Sequence, residues 1–279
     1  MTLRRLEIAR AGGVGIYLEA GSKHNLVEHN RIHGNGYKDI TDEGVAFEIG
    51  GVPIRYQSTG REGIAIDGSR RNVVGRNRIF GNSAGGIFFY KNCGEYMSKE
   101  RRHWVRRYGA NGNLIVGNVI SDEQNGVWLG SRMAENQYFL ECSDPAYVSG
   151  DLRRIHRDYA KHNTILGNRF VSVTNGVRVE DNGNRILRNS FSNRAAGAQA
   201  VLFGTKERTA ALGEPVAETV VRRNRATLKG NASPYGWVHG HTRTDYANNR
   251  ASGKRVRLGA GTQPAINPFL FVISFRVAD

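Results

Sequence analysis

The sequence predicts an all-β fold, a single-stranded right-handed parallel β-helix. Two interleaved repeats and a glycine-rich composition predict it. The first repeat reads Asn-x-apolar-x-x-Asn-x-apolar and occurs at Asn25–Ile32, Asn72–Ile79, Asn113–Ile120, Asn163–Phe170 and Asn184–Phe191, with a degenerate copy at Thr219–Asn224. The second reads Gly-apolar-x-apolar and starts at Gly15, Gly44, Gly63, Gly86, Gly126 and Gly176. The chain carries 35 Gly against 6 Pro, which suits many tight bends in a repeating β-structure.

Each unit holds short strands of period two that cannot bury their apolar side alone. Stacking the units makes one continuous core and pairs every strand with the neighbours above and below. The shortest spacings run from Gly44 to Gly63 and from Gly63 to Gly86, so each of these Gly motifs is read as one rung. Asparagine suits the corners because its side chain tolerates left-handed backbone and bonds to adjacent turns, so stacked corners predict asparagine ladders. The leucine-rich consensus of an alternative solenoid is absent, and a propeller needs longer, four-stranded units.

The 279 residues form one domain in this reading, with insertions at about 91–111 and 131–161 over one face and a C-terminal cap or tail at 251–279. Apolar residues make up 39% of the chain, and no run is long enough for a membrane span. No apolar signal segment follows the first residues. The net charge of +15 points to an anionic partner. Nucleic acid is disfavoured because Arg31, Arg78 and Arg169 recur at one repeat position, so they decorate a side of the coil without forming a cleft. Walker, dinucleotide and zinc-helix motifs are also missing.

The Asn-x-Ile-x-x-Asn-x-Ile and Gly-Ile-x-Leu motifs resemble those of the pectin-lyase-like right-handed parallel β-helix proteins, over about residues 12–250. The resemblance implies the fold. That architecture hosts lyases, epimerases, hydrolases, tailspikes and scaffolds, so it only suggests a function. The helical cap usual at the N-terminal end of such coils is missing here, which predicts a capping partner or a longer chain.

Strand alternation turns the apolar pair of each Gly motif inward and leaves two outward columns. One is Tyr17, Ala46, Ala65, Phe88, Trp128 and Arg178; the other is Glu19, Glu48, Asp67, Tyr90, Gly130 and Glu180. Tyr17, Phe88 and Trp128 are read as exposed platforms for sugar rings, with Arg178 and Glu180 beside them. The competing reading has the insertions cover these aromatics as a second core. The insertions carry Cys93 and Cys142, which a disulfide is expected to join in a secreted or periplasmic setting.

The favoured substrate is an acidic polysaccharide, cleaved by β-elimination or altered by C5-epimerisation. Such chemistry needs the uronate carboxylate neutralised, a base for the C5 proton and, for cleavage, an acid for the leaving oxygen. Lys91 and Arg132 are assigned as base and charge stabiliser, with Asp67, Tyr90, His103 and Tyr108 as further catalytic candidates and Arg106 and Arg107 as substrate contacts. By resemblance to alginate and pectate lyases, Ca²⁺ held by Asp67, Glu180 and Asp181 is a possible neutraliser. A glycoside hydrolase using Asp67, Glu48 or Glu180, and a non-catalytic glycan-binding or tailspike-like scaffold, stay open as alternatives.

Overall fold

The structure, a computed structural model, describes the chain apart from residues 20, 39, 41–44, 50–51, 58–59, 92–107, 131–159, 231–232, 262–271 and 275–279. At 45–49, 52–57, 207, 211 and 272–274 it describes the backbone alone. Three long sheets run side by side along a coil, and the chain visits them in the same order on each of eight rungs. On the third rung, for example, Val73–Gly75 lies in the first sheet, Arg78–Phe80 in the second and Gly85–Tyr90 in the third. All pairings between successive rungs are parallel.

Two asparagine ladders hold the corners either side of the first sheet. Asn77 shows the pattern: its backbone N–H and its Nδ2 both donate to Asn118 Oδ1, at 2.9 and 3.0 Å. Its Nδ2 also donates to the Val27 carbonyl of the preceding rung at 2.9 Å. Asn30, Asn118, Asn168, Asn189 and Asn224 repeat this arrangement, all of them buried. A buried amide with every group bonded stabilises a rung, whereas one left without a partner costs free energy.

The left-handed backbone expected at the corner asparagines falls one residue earlier, at His29, Arg76, Gly117, Gly167, Arg188 and Arg223, with φ between 55° and 63°. Asn248 alone among the residues of this column is an asparagine. The ladder amides need extended geometry to reach the next rung, so the preceding residue makes the bend.

Glycine opens the third-sheet motif for a different reason. A Cβ on Gly126 would stand 2.6 Å from the Gly176 carbonyl oxygen and 2.7 Å from the Phe170 ring. Gly176 is hemmed in the same way by Ala200 and Phe191. Replacing Gly126 by Ala is therefore expected to lower the unfolding free energy by roughly 1–3 kcal/mol through overpacking, measured by denaturant titration.

The core runs along the coil and contains Ile64, Ile87, Val127 and Val177 from the third sheet and Ile79, Ile120 and the stacked pair Phe170–Phe191 from the second. One expected rung does not form. Ile16–Leu18 pairs directly with Ile64–Ile66, while Val45–Ile49 folds back antiparallel on Val52–Gln57. Ala46 and Glu48 therefore leave the outward columns, because the coil is already closed without them. Val272–Ser274 adds antiparallel to the same hairpin, and Gly259–Ala260 adds a last parallel strand to the third sheet.

Candidate active site

The outer face of the third sheet carries most of the predicted residues in the predicted register. Tyr17, Ala65, Phe88, Trp128 and Arg178 follow one another on successive rungs, and Asp67 lies beside Tyr90. Direction is as expected; exposure is not. Phe88, Trp128, Arg178, Glu180, Asp67, Tyr90 and Lys91 are all buried. Phe88 and Trp128 meet edge to face, with ring centroids 5.3 Å apart, in a small second cluster with Ala65, Ala84 and Tyr90. The Arg178 guanidinium lies 5.5 Å from the Trp128 ring centre and donates to Glu180 at 2.9 Å. Phe88 and Trp128 are thus packing residues and not open sugar platforms, and Arg178 and Glu180 form a buried ion pair. Neither pair is an open substrate contact.

The face opens at its N-terminal end. Tyr17 is 37% exposed, and its hydroxyl donates to Asp67 Oδ2. Arg61 and Glu62, just before the Gly63 motif, complete a cluster there. The Tyr90 hydroxyl donates to Glu62 at 2.6 Å and accepts from Arg61 Nη2 at 3.2 Å. Arg61 Nε stands 3.5 Å from the second Glu62 oxygen. Burial disfavours the charge on Arg61, yet the nearby Glu62, Tyr90 and Tyr17 outweigh it and raise its pKa. Burial, reinforced by Glu62, lifts the Tyr90 phenol well above its ordinary value. Tyr90 therefore stays a phenol and anchors Arg61 and Glu62. A half-buried, permanently charged guanidinium thus lies near a half-exposed tyrosine hydroxyl held by a buried carboxylate.

Arg61 and Glu62 were not among the sequence candidates. They precede the glycine of the repeat, whereas the two outward columns begin after it. The signal was an Arg-Glu pair entering an otherwise apolar strand.

The remaining candidates fall apart from this cluster. Tyr108 is exposed, its ring under the Arg70 guanidinium at 3.6 Å. Asp181 accepts from the Ala160 backbone at 2.7 Å and faces buried Arg208, so it anchors the chain returning to the first sheet. Asp67 and Glu180 sit three rungs apart, about 14 Å at the strand spacing. Asp67, Glu180 and Asp181 therefore do not converge on one Ca²⁺, and Asp67 and Glu180 lie beyond the ~5–9.5 Å that a glycosidase pair spans. Among the described residues no three His, Cys, Asp or Glu gather as a metal site. Arg132, His103, Arg106, Arg107, Cys93 and Cys142 lie outside the described residues.

These features define a parallel β-helix protein with a polar cluster at one end of an outer face. The sequence model of NosD, described as a periplasmic copper-binding protein, matches residues 1–201, and the chain belongs to that family. No curated protein matches it in sequence. Among solved structures it is similar to the A-module of the mannuronan C-5 epimerase AlgE4 of Azotobacter vinelandii, at 15% identity and a TM-score of 0.53 over 94% of this chain and 58% of the module. It is also similar to the surface protein and adhesin PfbA of Streptococcus pneumoniae, at 13% identity and a TM-score of 0.57, over 92% of this chain and 66% of the adhesin. At these identities the likeness is one of fold. No helix among the described residues is long and apolar enough to cross a membrane.

Proposed function

We propose that this protein acts on an acidic polysaccharide, in the periplasm or outside the cell, by removing the C5 proton of a uronate. The observation that carries this reading is a chain of contacts at the open end of the third sheet: Arg61 donates to Tyr90, Tyr90 pairs in register with Asp67, and Asp67 accepts from the Tyr17 hydroxyl. Arg61 pairs with the substrate carboxylate and stabilises the enolate-like charge that develops. Tyr17 takes the C5 proton as its own phenolic proton passes to Asp67. In β-elimination the C4–O4 bond then breaks and O4 takes a proton back from this pair, leaving an unsaturated uronate. In epimerisation water on the opposite face gives C5 a proton, the hydroxide so formed takes the proton held by the Tyr17–Asp67 pair, and no bond of the chain is cut. The mannuronan epimerase likeness favours the same chemistry at the level of class.

Assays on alginate and pectate, following unsaturated-uronate absorbance and reducing ends, test the assignment. Arg61→Gln and Tyr17→Phe are each expected to lower kcat/KM by about 100-fold or more. Full activity in both variants would remove the site. Because Arg61 neutralises the carboxylate, a chelator is expected to leave turnover unchanged; loss of activity that Ca²⁺ restores would assign that role to a metal.

The description of the NosD family favours copper binding as a second reading. Copper(I) takes thiolate and thioether ligands, and Cys93, Cys142, Met97 and Met133 lie outside the described residues. The described residues do not supply a copper donor set, and no step above runs through copper. Titration with copper(I) under reducing conditions tests this reading; stoichiometric binding at sub-micromolar affinity would support it, and none would remove it.

A further inference from the structure

The corner between the first and second sheets carries a feature that the proposed chemistry does not use. Three outward positions recur there on each of the eight rungs: the last residue of the first-sheet strand, the left-handed corner residue and the first residue of the second-sheet strand. Eleven of these twenty-four positions are arginine, all exposed, and two are glutamate. Arginines dispersed in the sequence thus stack into one ridge.

The fold fixes their alignment. Arg31, Arg78, Val119 and Arg169 are successive partners in the second sheet. The corner residues are locked by a ladder in which Arg76 N–H donates to the Val116 carbonyl, Arg188 to Arg222 and Arg223 to Ala247, each at 3.0 Å. The two glutamates are occupied at the N-terminal end, Glu28 by Arg4 and Glu7 by Arg31 and His33. Arg76, Arg78, Arg169, Arg188, Arg223 and Arg225 have no acidic partner among the described residues. At ~4.8 Å per rung the ridge is about 34 Å long.

At its far end a cavity of about 320 Å³ is lined by Asn248, Arg255 and Arg257, which extends the positive surface. Half-exposed Val116, Leu166 and Leu187 form an aliphatic shoulder along the ridge's first-sheet side.

We propose that this ridge binds a linear, carboxylate-bearing polysaccharide lying parallel to the coil axis, as a holding surface separate from the third-sheet cluster. The inference rests on the reading above only for the class of ligand. Seven of the eight rungs place at least one guanidinium on this corner, interrupted only at Val116, Gly117 and Val119, a spacing that suits a polymer charged on each unit, and each planar fork takes a carboxylate in two bonds. The aliphatic shoulder suits the C–H faces of sugar rings. Single-stranded nucleic acid is held by aromatic platforms on which bases stack. On this corner Phe80, the aromatic at hand among the described residues, is already covered by His33 and Arg31.

The experiment is a binding titration of the full chain with long polymannuronate and polygalacturonate, with dextran and single-stranded DNA as comparisons, over a range of salt. The variant combines Arg76→Asn, Arg223→Asn, Arg78→Gln and Arg225→Gln; asparagine is chosen at the corners because Asn248 already adopts that conformation there. The expected result is at least 30-fold weaker binding of both uronates, a salt slope reduced by about 3, and recovery in the variant with lysine at the same four positions. If the quadruple variant does not fold, Arg169→Gln with Arg188→Asn serves, with an expected loss of at least 5-fold. Unchanged binding in a folded variant, equal binding of dextran, or tighter binding of DNA than of uronates would each overturn the proposal. Turnover is measured on the same ridge variants. A ridge that binds in a chain with no turnover would fail the proposed chemistry and leave the ridge standing, while turnover without ridge-dependent binding would do the reverse.

Discussion

Replacing Glu180 by Ala is expected to destabilise the protein by about 3–5 kcal/mol, because it strands a buried charge. Arg178 is 2% exposed, and its Nη2 donates to Glu180 at 2.9 Å. Its other terminal nitrogen, Nη1, is buried without a hydrogen bond, so the carboxylate provides the main compensation for the guanidinium. The double variant Arg178→Met, Glu180→Leu removes both charges at similar volume and is expected to recover most of the loss. Denaturant unfolding of the single and double variants measures this directly. A single variant as stable as the wild type would mean that the pair is solvated and that the third-sheet face is open after all.

The second large effect concerns pH. Glu123 occupies a corner position where the preceding rungs have Asn35 and Asn82, and it accepts from Asn82 Nδ2 at 2.8 Å as an asparagine would. Its second oxygen is buried without a partner. Burial pushes the carboxyl up to about 8, against the opposing side-chain and backbone bonds from Asn82; Asp122 adds to the rise.

The folded state therefore holds this proton more tightly than the unfolded state does. The associated stability is fully present below about pH 4.5, falls as pH rises and is gone above about pH 8. Glu123→Gln keeps the acceptor and removes the titration. Near pH 9 the variant is expected to be more stable than the wild type by up to about 4 kcal/mol, and near pH 5 by little. Unfolding titrations at the two pH values check this; a pH-independent difference would show that Glu123 is charged in the fold.

Much of the coil is legible in the sequence because the repeats state its physics directly. Asn77 and Asn118 recur at the same place because each completes the other's hydrogen bonds. Gly126 recurs because the next rung leaves no room for a Cβ. The Gly44 motif misleads because four residues of alternating pattern fit a hairpin as well as a rung. No Asn-x-apolar-x-x-Asn unit lies between Gly44 and Gly63, and that absence separates the two.

The site was less legible. Period two gives the direction of Phe88 and Trp128, but burial depends on residues distant in sequence. The spacing of Arg178 and Glu180 puts both on one face of a strand, a pattern that suits an ion pair as well as a substrate contact. Arg61 gains its place from Tyr90, a rung away, and no local pattern announces that contact. The arginine ridge was visible one residue per repeat, and became a surface only when the register stacked those residues.

Incubation with polymannuronate and polygalacturonate in D₂O, followed by NMR of the products, reads out abstraction of the uronate C5 proton. The expected products carry either unsaturated ends or deuterium at C5 with inverted configuration, and both are lost in Arg61→Gln and in Tyr17→Phe. Polymers recovered unchanged from the wild-type protein, or product formation undiminished in the two variants, would contradict the proposed chemistry.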